Sequence, residues 1–138
     1  MKKIYVVDDS ALVRERLIEM LSDLPEVKVV GQTSNPCEVL SAIHELGPDA
    51  VILDIRLPGR NGIDVLKDIK RDKPHTIVIM LTDYAYPQYR KECMASGADY
   101  FLNKATEFHK IPDLMKKLIK DSQVYESKLK TKEVENHG

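Results

Sequence analysis

The stretch KKIYVVDDSALVRERL, residues 2–17, decides the fold because a strand pattern and a helix pattern meet within it. Residues 4–7 are β-branched or aromatic, which is typical of a buried strand. Ser10 then suits the cap of a helix whose apolar residues recur at helical spacing from Val13 onward. Two adjacent aspartates separate the two patterns, so the first strand ends in polar chemistry.

The same alternation continues along the chain. Further strand-like runs occupy residues 27–30, 50–53, 77–81 and 100–102, with helical patterns between them. The run 27–30 contains Lys28, a charge that is tolerated at the edge of a sheet, so we expect this strand at the periphery. Five strands joined by helices predict an α/β fold with a doubly wound parallel sheet and helices on both faces.

Residues 1–120 form the predicted domain. A last helical pattern starts near Ile111, and its apolar residues thin out beyond Lys120. We therefore expect a C-terminal helix extension and a frayed, charged tail over residues 121–138.

Composition limits the possible functions. Lys plus Arg (21) nearly balances Asp plus Glu (22), which argues against direct nucleic-acid binding. No apolar run or leader pattern indicates a membrane span or a secretory signal, so we expect a cytoplasmic location. Cys37 and Cys93 lie far apart and are expected to be small buried side chains, without a disulfide bond or a metal.

Polar residues follow four of the predicted strands. Asp8 and Asp9 follow the first strand, Asp54 follows the third, Thr82 follows the fourth and Lys104 follows the fifth. The carboxyl ends of parallel strands share one edge of a sheet, where ligands bind, so we expect these side chains to converge.

The chemistry of this set favours phosphoryl transfer. Carboxylates that lie close together repel one another and need a cation, and an all-oxygen site favours Mg²⁺. Thr82 and Lys104 offer a hydroxyl donor and a positive charge for phosphoryl oxygens. Asp54 is then the candidate nucleophile, with an aspartyl phosphate as its product.

Four motifs together resemble the response regulator receiver domain of two-component signalling, over the chain to about residue 120. They are VVDDS (6–10), ILDIRLPGRNGIDVL (52–66), VIMLT (78–82) and GADYFLNK (97–104). The resemblance implies a flavodoxin-like sheet with strand order 2-1-3-4-5. It also implies that Asp54 is the phosphoacceptor. Asp9, Asp54 and the backbone carbonyl of Arg56 would bind Mg²⁺ directly, and Asp8 would act through water.

The resemblance assigns further roles around the phosphoacceptor. Thr82 and Lys104 would bind the phosphoryl oxygens. Thr82 and Phe101 would form the switch, in which the hydroxyl moves toward the phosphoryl group and the aromatic ring turns inward. Arg56 and Tyr84 would tune the lifetime of the phosphorylated state by covering the approach of water.

We therefore interpret the chain as a stand-alone receiver, a signalling switch that catalyses only its own phosphorylation and dephosphorylation. Its donor would be a histidine kinase or a phosphotransfer protein and its output a downstream protein effector, with the receiver a monomer or a phosphorylation-dependent dimer. One alternative is the N-terminal receiver of a DNA-binding transcriptional regulator. Another is a Mg²⁺-dependent phosphatase, although such enzymes usually carry Asp-x-Asp on the first strand.

Overall fold

The computed structural model describes the backbone of residues 1–137 and the side chains of residues 1–129. Its strands are β1 (Lys2–Val7), β2 (Val27–Thr33), β3 (Ala50–Leu53), β4 (Arg56–Leu57), β5 (Arg60–Asn61), β6 (Ile77–Thr82) and β7 (Tyr100–Asn103). Its helices are α1 (Ala11–Ser22), α2 (Val39–Leu46), α3 (Gly62–Asp72), α4 (Pro87–Ala95), α5 (Lys104–Glu107) and α6 (Ile111–His137). Short 3₁₀ turns precede α2 and α6 at Pro36–Glu38 and Phe108–Lys110.

Five parallel strands form the main sheet in the order β2-β1-β3-β6-β7. Without the small hairpin β4–β5, this order is the predicted 2-1-3-4-5 order, and β2 lies at the edge as its lysine indicated. The flavodoxin-like fold is therefore confirmed. β2 extends to Thr33, three residues beyond the predicted end, and the Thr33 carbonyl accepts a hydrogen bond from the Asp8 N–H at 3.1 Å.

Two apolar layers cover the two faces of the sheet because successive residues of a strand point to opposite sides. Tyr5 and Val7 of β1 pack into the layer that contains the buried faces of α2, α3 and α4. Ile4 and Val6 pack into the other layer with α1 and α6. The predicted placement of helices on both faces is confirmed.

A capped 3₁₀ turn precedes α2. The Asn35 side chain accepts a hydrogen bond from Cys37 N at 2.9 Å, but this cap begins a 3₁₀ turn, and α2 begins only at Val39. Cys37 lies exposed in that turn, so the expectation that both cysteines are buried is wrong for Cys37 and confirmed for Cys93. Surface turns expose even small apolar side chains, which composition alone does not reveal.

The C-terminal helix α6 continues through the predicted extension to His137. The expectation of a frayed tail falls largely on residues 130–138, whose side chains lie outside the described part of the chain. Among the residues that are described, no helix is long and apolar enough to cross a membrane.

Candidate functional site

Four of the sequence-predicted residues meet at the C-terminal edge of the sheet. Asp8 and Asp54 directly follow β1 and β3, Thr82 is the last residue of β6, and Lys104 is the first residue of α5. The parallel ladder continues past the end of β3, since the Asp54 N–H donates to Val7 O at 3.1 Å. The backbone of the sheet therefore fixes the direction in which the two carboxylates leave it.

Lys104 lies between the two buried carboxylates. Its Nζ is 2.8 Å from Oδ2 of Asp54 and 2.8 Å from Oδ2 of Asp8, and all three side chains are at most 10% exposed. Burial lowers the pKa of Lys104, but the hydrogen bonds and charges of Asp54 and Asp8 outweigh this effect, so the pKa lies above its usual 10.5. Lys104 is therefore a fixed positive charge at neutral pH.

Backbone N–H groups hold the other oxygen of each carboxylate. Asp8 Oδ1 accepts from Ser10 N at 2.8 Å, and Asp54 Oδ1 accepts from Ile55 N at 2.7 Å. Burial nevertheless raises the pKa of Asp8 above its usual 3.8, although Lys104 and the Ser10 N–H favour the charged form. The charged form of Asp8 is therefore costly to bury, and Lys104 stabilises it.

The start of α5 places Lys104. The Asn103 side chain accepts from Ala105 N at 2.9 Å, and the Glu107 carboxylate accepts from Asn103 N at 3.0 Å, so the first turn is held from both sides. The bond from Asn103 N and the neighbouring Lys110 lower the pKa of Glu107. This short helix was not predicted, because only a strand over residues 100–102 with Lys104 following it was expected in this segment.

Asp9 does not join the buried group. Its side chain is exposed, and the residue lies in the connection between β1 and α1, beyond the end of the strand. Within the described side chains, no set of three or more His, Cys, Asp or Glu residues is arranged to hold a metal ion. Of the three carboxylates that were expected to lie close together, only Asp8 and Asp54 do so. Lys104 forms an ion pair with each of them.

The available oxygen donors still fit a hard cation chemically. Asp8 and Asp54 each accept one bond per oxygen, and a carboxylate oxygen can accept about two. Asp9, which also follows β1, adds a further carboxylate. The Mg²⁺ ligands thus remain a prediction, with a suitable donor set.

Thr82 is fully buried beside the pocket, and its Oγ1 accepts a hydrogen bond from Tyr84 N at 3.1 Å. A hydroxyl can donate and accept at the same time, so its hydrogen remains available for another acceptor. Phe101 is also buried, and the Arg90 guanidinium lies 5.6 Å from the centre of its ring. The switch roles of Thr82 and Phe101 remain predictions.

Arg56 and Tyr84 contact each other. The Arg56 guanidinium lies 4.1 Å from the centre of the Tyr84 ring, so the two residues selected as lifetime-tuning positions form a cation–π pair. This contact joins the segment that follows Asp54 to the segment that follows Thr82. Their spacing in the sequence gave no sign of such a pairing.

The hairpin β4–β5 has a structural role that the sequence pattern did not predict. The Gly62 N–H donates to Ile55 O at 2.6 Å, and a Cβ at Gly62 would overlap the carbonyl oxygen of Asp54. Only glycine therefore allows the hairpin to close against the backbone of Asp54. The available signal was the glycine eight residues after Asp54.

Comparisons with known proteins agree with this arrangement. Residues 4–117 match the family described as the response regulator receiver domain. The response regulator protein VraR of Staphylococcus epidermidis is 28% identical over 130 residues, which are 94% of this chain and 62% of VraR. The chain thus spans less than two thirds of the length of this relative.

Solved structures show the same fold. The response regulator domain of Thermotoga maritima CheB is 32% identical, with a TM-score of 0.77 over 87% of this chain and 95% of that one. A DNA-binding response regulator of the LuxR family from Staphylococcus aureus has a TM-score of 0.78 at 22% identity, over 85% of this chain and 98% of that one. With its family match over most of the sequence, the chain belongs to the response regulator receiver domain family.

Proposed function

We propose that the chain is a phosphorylation-dependent signalling switch that accepts a phosphoryl group on Asp54. The observation that carries the proposal is the shared lysine, because Lys104 Nζ lies 2.8 Å from Oδ2 of both Asp54 and Asp8. A fixed ammonium in a buried pocket can offset the charge of a phosphoryl group attached to Asp54. The available Thr82 hydroxyl supports a second contact to that group.

The proposed reaction transfers phosphorus from nitrogen to oxygen. An Asp54 carboxylate oxygen attacks the phosphorus of a donor phosphohistidine, a P–O bond forms, the P–N bond breaks, and its electron pair returns to the donor imidazole. Asp9, Asp54 and the backbone carbonyl of Arg56 would hold Mg²⁺, with Asp8 acting through water. When bound, the ion would supply positive charge to the phosphoryl oxygens.

Modification of Asp54 tests this function directly. We expect acetyl phosphate with Mg²⁺ to phosphorylate the wild type, and Asp54→Asn to abolish the reaction because the amide cannot act as the nucleophile. Asp64→Asn is the control, since Asp64 is an exposed acid in the first turn of α3. Peptide mass spectrometry would locate the phosphoryl group, and its appearance on another residue would disprove the assignment.

We propose that the output is a contact with a downstream protein effector and that a histidine kinase or a phosphotransfer protein is the donor. Membership of the receiver family supports these partners, and the proposed catalysis is limited to phosphorylation and dephosphorylation of the receiver itself. Release of more than one equivalent of product from p-nitrophenyl phosphate would instead support the phosphatase alternative.

The length of the relatives favours a second candidate function. The chain covers 62% of VraR, and a similar structure belongs to a DNA-binding regulator. In that case the phosphorylated receiver would control an attached DNA-binding domain instead of a separate effector. The size of the native protein, measured by immunoblotting of the source cells, separates a chain of this length from a longer regulator.

We further propose that the Arg56–Tyr84 pair prolongs the phosphorylated state. The two side chains pack as one unit beside the pocket, and neither is suited to activate water as a base. We expect Arg56→Asn combined with Tyr84→Ala to speed the loss of the phosphoryl group at fixed Mg²⁺ and pH. Tyr86→Ala is the aromatic control, and an equal or slower loss in the double variant would contradict shielding.

A further inference from the structure

A small recess lies between the hairpin β4–β5 and helix α4, outside the pocket of Asp54. Its volume is about 210 Å³. Its lining consists of Ile55, Arg56, Leu57, Arg60, Asn61 and Tyr89. A cavity of about 150 Å³ holds a benzene molecule, so this recess has room for one medium-sized side chain.

The floor and one side of the recess are apolar. Ile55 is buried, while Leu57 and Tyr89 are partly buried and pack against the same apolar layer. The hydrogen bond from Gly62 N to Ile55 O fixes the hairpin wall, so the floor is preformed. A preformed apolar recess favours an aliphatic side chain, because binding then removes apolar surface from water without reordering the protein.

The polar rim of the recess is positive. Arg56 stacks on Tyr84, and no acid among the described side chains pairs with it. Arg60 pairs with Asp68 at 2.5 Å, but Asp68 also contacts Arg71 at 3.3 Å, so one carboxylate serves two guanidinium groups. The free donors of Arg56 therefore complement a carboxylate at the rim.

We propose that this recess binds a partner-protein segment that presents a leucine-sized aliphatic side chain beside a carboxylate. The aliphatic group occupies the space over Ile55 and Leu57, and the carboxylate pairs with Arg56. The proposal goes beyond the proposed function because the site is formed in the unphosphorylated protein. Its walls lie on the segment that follows Asp54, on the hairpin β4–β5 and on helix α4, so an occupant would contact residues next to Asp54 in the chain.

The test uses N-acetyl-leucine as the probe and N-acetyl-leucinamide as the matched compound without the carboxylate. Both are titrated into the unphosphorylated 138-residue chain at low salt, and backbone amide signals are followed by NMR. We expect saturable shifts confined to residues 55–61 and Tyr89, with a dissociation constant on the order of 1–10 mM. The acid should bind about threefold to fivefold more tightly than the amide, as one exposed ion pair allows.

Arg56→Gln should remove the preference for the acid, and its spectrum should differ from that of the wild type only at amides near Arg56 and Tyr84, because Arg56 is exposed. Arg16→Gln, an exposed arginine on α1, should keep the preference. Absence of saturable shifts at these amides, equal binding of acid and amide, or an unchanged preference in Arg56→Gln would each overturn the proposal. Because no phosphorylation is involved, these results are independent of whether Asp54 accepts a phosphoryl group.

Discussion

Lys104 is the residue on which the charge balance of the pocket depends. Two buried carboxylates share its ammonium group, and burial raises the pKa of one of them, Asp8. Removing one partner from a buried ion cluster leaves an uncompensated charge, which costs more than the intact cluster contributes. Lys104 is therefore expected to stabilise the fold in addition to any contact with a phosphoryl group.

We expect Lys104→Met to lower the free energy of unfolding by about 3 kcal/mol at pH 7.5 in EDTA. The loss should shrink as the pH is lowered toward 5. Without Lys104, the already raised pKa of Asp8 rises further, and a carboxyl whose folded pKa is raised stabilises the fold when protonated. That contribution is complete below its unfolded pKa and is lost as the pH rises through the folded pKa.

Urea unfolding at both pH values measures this effect. Lys110→Met is the control, since Lys110 pairs with Glu107 at the surface. Added Mg²⁺ should stabilise Lys104→Met more than it stabilises the wild type. In the variant, the cation can bind between Asp8 and Asp54 in place of the Lys104 ammonium group. An equal loss at both pH values would contradict the dependence of Asp8 on Lys104.

The residues of the pocket could be predicted from the sequence, but most of their contacts could not. Asp8, Asp54, Thr82 and Lys104 could be placed at one edge because strand ends follow from apolar periodicity. The sharing of Lys104, the exposure of Asp9 and the Arg56–Tyr84 stack were not predictable. These depend on side-chain directions and on neighbours that are distant in the chain, which periodicity does not encode.

At the scale of elements, the hairpin β4–β5 links the site to the surface. Each of its strands has two residues, too few for a period to be recognised, so it was absent from the sequence prediction. The strands of the main sheet were predicted to within a few residues, since each contains a clear apolar run. The main errors lie at the short 3₁₀ turns and at α5.

We expect Gly62→Ala to destabilise the protein by about 2 kcal/mol, because the new methyl group overlaps the Asp54 backbone and lies 2.8 Å from the Ile55 Cα. The overlap should also slow the modification of Asp54 by acetyl phosphate. Thermal unfolding and the rate of phosphorylation measure the two effects.

Gly59→Ala is the matched control within the same hairpin. Gly59 has a φ of +79°, and a Cβ there meets no atom within 4 Å. The substitution should therefore lower the free energy of unfolding only by the cost of a left-handed backbone at alanine, about 1 kcal/mol. Its rate of phosphorylation should equal that of the wild type. If both variants slow phosphorylation equally, general destabilisation explains the result and the contact with Asp54 does not.

At the scale of the whole molecule, the core requires only the first part of α6. Ile111 and Met115 are buried, whereas Tyr125 and Leu129 are 65% and 43% exposed. The family match ends at residue 117, close to this change in burial. We therefore retain the prediction that residues 1–120 form the domain.

Truncation after Lys120 should change the free energy of unfolding by less than about 0.5 kcal/mol, because it removes mainly exposed side chains. Truncation after Asp113 should prevent folding, since it removes Met115 from the core. Urea titrations followed by circular dichroism compare the two. A loss above about 1.5 kcal/mol in the first variant would place the extension within the cooperative domain.

Helix α6 runs without interruption for 27 residues, from Ile111 to His137. At a rise of 1.5 Å per residue it is about 40 Å long. Only the remaining residues of α5 and one 3₁₀ turn separate its first residue from Lys104. A stiff helix anchored at one end acts as a lever, and a tilt of about 5° at the base displaces the far end by about 3.5 Å. The fixed end of this helix therefore lies close to Lys104. A small movement there would produce a larger displacement at the far end of α6.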